Sequence, residues 1–173
     1  MIECPKRFYG KYRGTVVNNV DPMQIGRLLV NVPDVSNFLP STWAMPCSAV
    51  GGMQTGVYTV PPIGAGVWVE FEQGDLSYPV WTGCFWGTAA EVPAMALAAP
   101  PALPPIVIQS IAQNRIVISS VPGDGIRLET AAGPGGPSIT INAAGIIISD
   151  GVGGMITLTG GAVTINQGAL FIK

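Results

Sequence analysis

At 173 residues the chain can hold one ordinary domain, or a small domain with an elongated appendage. Charged residues are only 10% of it while Gly numbers 23 and Pro 16, which disfavours long helices because Gly costs backbone entropy and Pro lacks a donor. A net charge of -2 argues against nucleic acid as a partner, since that affinity rests on clustered Lys and Arg neutralising phosphates.

The opening, MIECPKRFYGKYRG, has no apolar core and no small-residue cleavage site, so synthesis in the cytoplasm without a signal peptide is expected. Its Lys6, Arg7, Lys11 and Arg13 read as a solvated end. From Tyr9 to about Gly87, TVV, RLLVNV, GVWVEFE and PVWTGCFWG are β-branched or aromatic runs bounded by turn formers. All four Trp and all four Tyr lie there, giving this segment bulky side chains for a core of its own. Residues 1–88 are therefore expected to be a compact β domain.

Residues 89–105 are rich in Ala and Pro and read as a semi-rigid linker, with room for one helical turn around Ala94 to Ala99. Pro93, Pro100, Pro101, Pro104 and Pro105 interrupt the most apolar stretch, so it offers no unbroken membrane-spanning run. From residue 106 to 173 the pattern becomes short apolar alternations separated by Gly-rich turns. Ile126/Leu128, Ile139/Ile141, Ile146/Ile148, Ile156/Leu158, Val163/Ile165 and Leu170/Ile172 each place two apolar side chains on one strand face. Strands this short bury little area alone, and 48% hydrophobic content requires burial somewhere. Winding identical chains around one axis answers both demands. The expectation is a homotrimer in which each strand pairs with a neighbouring chain and Ile139, Ile141, Ile146, Ile148, Ile156, Leu158, Val163 and Ile165 fill a shared core.

The inventory for chemistry is thin. The chain has no His, which removes His-based general bases, triads and imidazole ligands. Glu70 and Glu72 share a strand face and could be read as a paired acid and base, but they alternate with Val69 and Phe71 as exposed strand residues do. SDGVGGM at 149–155 lacks the tandem Asp-bearing copies of a calcium roll and reads as turn chemistry. Cys4, Cys47 and Cys84 read as reduced structural thiols, with Cys84 placed in the core. No catalytic residue, cofactor or metal site is expected.

Three stretches carry a resemblance. KYRGTVVNNVDPMQIGRLLVNVPDV has an opening strand, an Asp-Pro turn and a Gly-Arg-led second strand. YTVPPIGAGVWVEFEQGDLSYPVWTGCFWG has a Pro-x-x-Gly turn, a strand, a Gly-Asp turn and a Pro-Val strand; Trp43 and GGMQTGVY stand between the two. In this order they resemble the baseplate assembly protein V family, phage spike proteins related to the VgrG spikes of type VI secretion. The resemblance implies an all-β chain, an N-terminal OB-fold barrel under a central hub followed by an intertwined trimeric β-helix spike. It implies a structural role in a phage tail, tailocin or related contractile device, linking hub to tip and piercing the target envelope with transient membrane contact. The 18 residues from Thr88 to Pro105 are too few for the lysozyme domain of some relatives, and the lack of His removes the iron-binding tip of others. The closing ALFIK is then expected to dock a PAAR-type cap protein through Leu170, Phe171 and Ile172. The competing expectation is an OB-fold binding module on a trimeric stalk, with Trp43, Tyr58 or Trp68 stacking on an oligosaccharide or single-stranded nucleic acid.

Overall fold

A computed structural model describes residues 6–36, 39–131 and 135–172. The chain divides into two compact units, Met1–Ala89 and Ala90–Lys173.

The first unit is built on strands β1 (Tyr12–Asn18), β2 (Leu29–Asn31), β3 (Met45–Pro46), β6 (Gly66–Phe71) and β7 (Pro79–Phe85). They lie in the order β2-β1-β6-β7-β3, antiparallel except for the parallel β3/β7 pair. A bridge from Leu28 to Ala44, with N–H···O distances of 3.1 and 2.8 Å, joins the two ends of that order and closes the sheet into a barrel. Closure leaves no bare sheet edge there. Alternation decides the interior: in β6, Val67, Val69 and Phe71 point inward while Trp68 and Glu70 point outward. Val16, Leu28, Val30, Val32, Ala44 and Trp81 complete the core.

Between β3 and β6 runs a hairpin of two-residue strands, β4 (Gly51–Gly52) and β5 (Thr55–Gly56). Across β6/β7 a bulge shifts the register between Trp68 and Val69. Cys84 is exposed, which corrects its expected core placement: it pairs with the buried Val67 but lies near the end of β7, past Trp81, where that strand's contribution to the packed core ends. Partial desolvation raises its thiol pKa, so the sulfur stays protonated.

In the second unit one helical turn, Ala94–Leu97, occupies the Ala/Pro-rich stretch and packs against β8 (Ile106–Gln109). Then follow β9 (Arg115–Ile118), β10 (Ile126–Glu129), β11 (Ser138–Asn142), β12 (Gly145–Ser149), β13 (Met155–Thr159), β14 (Ala162–Ile165) and β15 (Leu170–Ile172). All eight form one antiparallel meander in chain order. Here the structure differs from the expected strand pairing with neighbouring chains: each strand pairs with its predecessor and successor in the same chain. The cause is turn chemistry. Gly160 and Gly161 both have positive φ, the geometry of a two-residue hairpin turn that reverses the strand at once. At Asn142 the side-chain carbonyl accepts the N–H groups of Ala144 and Gly145 and fixes the reversal into β12.

Candidate functional site: an open apolar sheet face

Register in the meander aligns the apolar pairs across all eight strands. Ile108, Ile116, Leu128, Ile139, Ile148, Ile156, Ile165 and Leu170 form one column, each the direct partner of the next. A second column runs through Ile106, Ile118, Ile126, Ile141, Ile146, Leu158, Val163 and Ile172. Every position on this face is aliphatic, and the columns bring together all eight residues expected in the shared core. With strands about 4.8 Å apart and about 3.3 Å of rise per residue, the face is roughly 34 Å long and 13 to 17 Å wide.

In the isolated chain this face is half open: Ile116, Ile118, Leu128, Ile139, Ile148 and Leu158 keep between 38% and 41% of their surface exposed. An apolar strip of several hundred Å² on a soluble chain marks an interaction surface. The opposite face differs in chemistry. Its central row reads Val107, Val117, Arg127, Thr140, Ile147, Thr157, Thr164 and, by register, Phe171, a mixed row where the open face is wholly aliphatic. It is also partly covered by its own chain, since Met95 and Ala98 share a recess with Val117 and Arg127. There Glu129 is buried and paired with Arg115 at 2.7 Å and Arg127 at 3.3 Å, which offsets the cost of taking its charge from water.

Sequence reasoning missed the start of the columns. Ile106, Ile108, Ile116 and Ile118 carry the same two-residue period as the later strands, and that period was the available signal; the adjoining prolines hid it. Of the expected tip residues, Leu170 is half exposed on β15 at the sheet's edge, whereas the side chains of Phe171 and Ile172 lie outside the described residues.

On the barrel, Asp21 organises the loop between β1 and β2. Its carboxylate accepts the N–H groups of Met23 (3.0 Å), Ile25 (3.0 Å) and Arg27 (3.2 Å), and Arg27 adds Nε at 3.0 Å and Nη2 at 2.6 Å. The Arg27 guanidinium foremost, helped by those backbone donors, holds the Asp21 carboxyl well below the usual carboxylate range against the opposing effect of burial. Arg27 also lies over the Trp43 ring at 5.3 Å, and Arg13 over Trp68 at 5.5 Å. Two of the three aromatics considered for base or sugar stacking thus already carry a cation; Tyr58 is the exposed one. The suspected acid pair is ordinary surface chemistry, with Glu70 paired to Lys11 at 2.7 Å. Asp150 turns its carboxylate onto the N–H groups of Val152 and Gly154, both at 2.8 Å, so it caps its own loop.

Two family comparisons bear on these surfaces. Residues 12–86 match the type VI secretion system/phage-baseplate injector OB domain, the segment that closes as the barrel. Residues 105–171 match the phage baseplate V C-terminal trimerisation domain, the segment that forms the open-faced meander. The chain belongs to the phage baseplate V family. No curated protein matches it. In a baseplate V protein the trimerisation domain supports a homotrimer and a structural role in a phage tail-like particle. Among the described residues no helix is long and apolar enough to cross a membrane.

Proposed function

We propose that this chain is the non-enzymatic central spike of a contractile injection particle, three copies of which join through the aliphatic face of β8 to β15. The observation that carries this is the face itself, two unbroken aliphatic columns that one chain leaves half exposed. Geometry favours three copies. A triangle whose sides are single strands of about 15 Å places its walls roughly 4 Å from the axis, the reach of an Ile or Leu side chain. Six such side chains then fill each layer, with Ile139, Ile141, Ile146, Ile148, Ile156, Leu158, Val163 and Ile165 in the middle layers. In this arrangement the expected β-helix is a prism of three meanders whose strand hydrogen bonds lie within each chain.

Mechanically the role is force transmission. A prism whose three walls are cross-braced by strand pairing and share one dry core has no element that can peel separately, so unfolding under load is slow. The barrels offer a threefold platform to a hub protein, and the β15 end, with Leu170, Phe171 and Ile172, is the place for a PAAR-type cap and for transient contact with the target envelope. Removing residues after Gly168 is expected to abolish cap binding without loss of the trimer.

The test is where the chain resides. In purified particles, labelled copies should number three and lie on the baseplate axis by electron cryomicroscopy. A chain that is absent from particles, or distributed along the tube, contradicts the proposal.

A further inference from the structure

The trimerisation face leaves a second apolar surface unused. No charged residue occurs between Asp34 and Glu70, although charges flank that stretch on both sides. Much of it is displayed on the barrel. Met53 is 95% exposed at the tip of the β4/β5 hairpin, and Val57 and Tyr58 are more than half exposed at its base. Beside them Ile25 projects from the loop that Asp21 braces. Between hairpin and barrel wall lies a recess of about 600 Å³ lined by Ile25, Pro46, Cys47, Tyr58 and Trp81 among others. Its floor is fixed by the Trp81 indole N–H, which donates to the Gly26 carbonyl at 3.0 Å.

Two features need an occupant and a support. The recess falls in the range that takes a ligand-sized apolar group. The hairpin has two ladder pairs, Gly51↔Gly56 and Gly52↔Thr55, and at its base the Val57 N–H donates to the Val50 carbonyl at 3.1 Å while the Ser48 hydroxyl donates to the Val50 and Val57 carbonyls; a two-stranded ribbon that short is still marginal in water without something to pack on.

We infer that the Met53 hairpin tip of one copy seats in the recess between Ile25, Tyr58 and Trp81 of the next copy, so that three head-to-tail contacts close a ring of barrels. This rests on the trimeric reading above. Three observations select another copy as the occupant. Trimerisation through β8 to β15 tethers each barrel to two others by the Ala/Pro-rich stretch, which holds them at an effective concentration of about millimolar. A surface meeting its own copy meets its own charges, and the charge-free composition removes any like-charge penalty. A head-to-tail contact between different patches closes into a ring under threefold symmetry. Methionine suits the role, because its unbranched thioether fills irregular apolar space.

The recess contains a built-in reporter, Cys47. In full-length chain with Cys4 and Cys84 replaced by Ser, Met53→Cys under oxidised glutathione should give disulfide-linked dimers and trimers on non-reducing gels. Adding Cys47→Ser should abolish them. Cross-links that survive Cys47→Ser place the tips against one another and overturn the seating. So does the absence of intermolecular cross-links in a sample that sediments as a trimer when reduced, which leaves the trimeric reading intact; a chain that sediments as a monomer overturns both. As a second readout, Met53→Asp should lower hydrogen-exchange protection of the 51–56 amides by roughly tenfold or more in the intact trimer. Unchanged protection contradicts the seating.

Discussion

The barrel and the meander use the same material, short β-strands with alternating apolar side chains, and reach opposite ends. In the barrel, the Leu28–Ala44 bridge joins the sheet's ends, so alternation sends Val16, Val30, Val67 and Val69 into a core that one chain completes. In the meander nothing joins β8 to β15, and alternation sends sixteen positions in two columns onto a face that one chain cannot cover. Closure, and not strand content, separates a self-sufficient domain from an obligate oligomer. The tryptophans allow the two to be watched separately, since all four lie in the first unit and fluorescence therefore reports the barrel alone.

The largest expected effect comes from a charge on the open face. Ile148→Asp or Ile165→Asp places three unpaired carboxylates near one axis, at a cost of several kcal/mol per charge. Trimers should be lost by sedimentation while the tryptophan spectrum stays native. A persisting trimer would mean that the wrong face has been assigned to the interior.

The converse experiment attacks the barrel. Val69→Ala removes two methyl groups from a fully buried site, and Leu28→Ala removes more, at about 2 to 5 kcal/mol for the larger truncation. The tryptophan-detected unfolding midpoint should fall and the reduced-sample mass should not change. If trimers dissociated instead, the two units would not be independent in stability.

Acid separates the units next. Because the folded-state pKa of Asp21 is lowered, its contribution is fully present above the unfolded value of about 4 and is lost as pH falls from there through the folded value. Barrel stability should decline below about pH 4, and Asp21→Asn should be less stable at neutral pH and show a flatter decline. An identical acid profile in the variant would show that another carboxylate governs the transition. The smallest effect belongs to the opposite face of the meander, where Thr157→Lys should change stability by no more than about 0.5 kcal/mol and leave the trimer intact.

Much of this organisation is legible from residue order alone, for reasons the strands make plain. TVV, RLLVNV, GVWVEFE and PVWTGCFWG fall in β1, β2, β6 and β7 because β-branched and aromatic runs bounded by turn formers mark strands. The two-residue strands β3, β4 and β5 are too short to carry a period, so the parallel β3/β7 pair and the hairpin were invisible. The apolar columns were readable as pairs but not as a within-chain meander. That choice is made by the positive φ angles at Gly160 and Gly161, and a glycine pair advertises a turn without saying whether the next strand returns to its own chain or passes to a neighbour. Cys84, beside Phe85 and Trp86, reads as core, yet the packed interior along β7 ends at Trp81, and residue type does not show where along a strand the core stops.

The central claim is that the open face is covered by copies of itself, three at a time. Sedimentation-equilibrium mass of the full chain tests it most directly. A trimer predicts a single species of about three times 17.9 kDa that persists on dilution, whereas a monodisperse species of 17.9 kDa contradicts it.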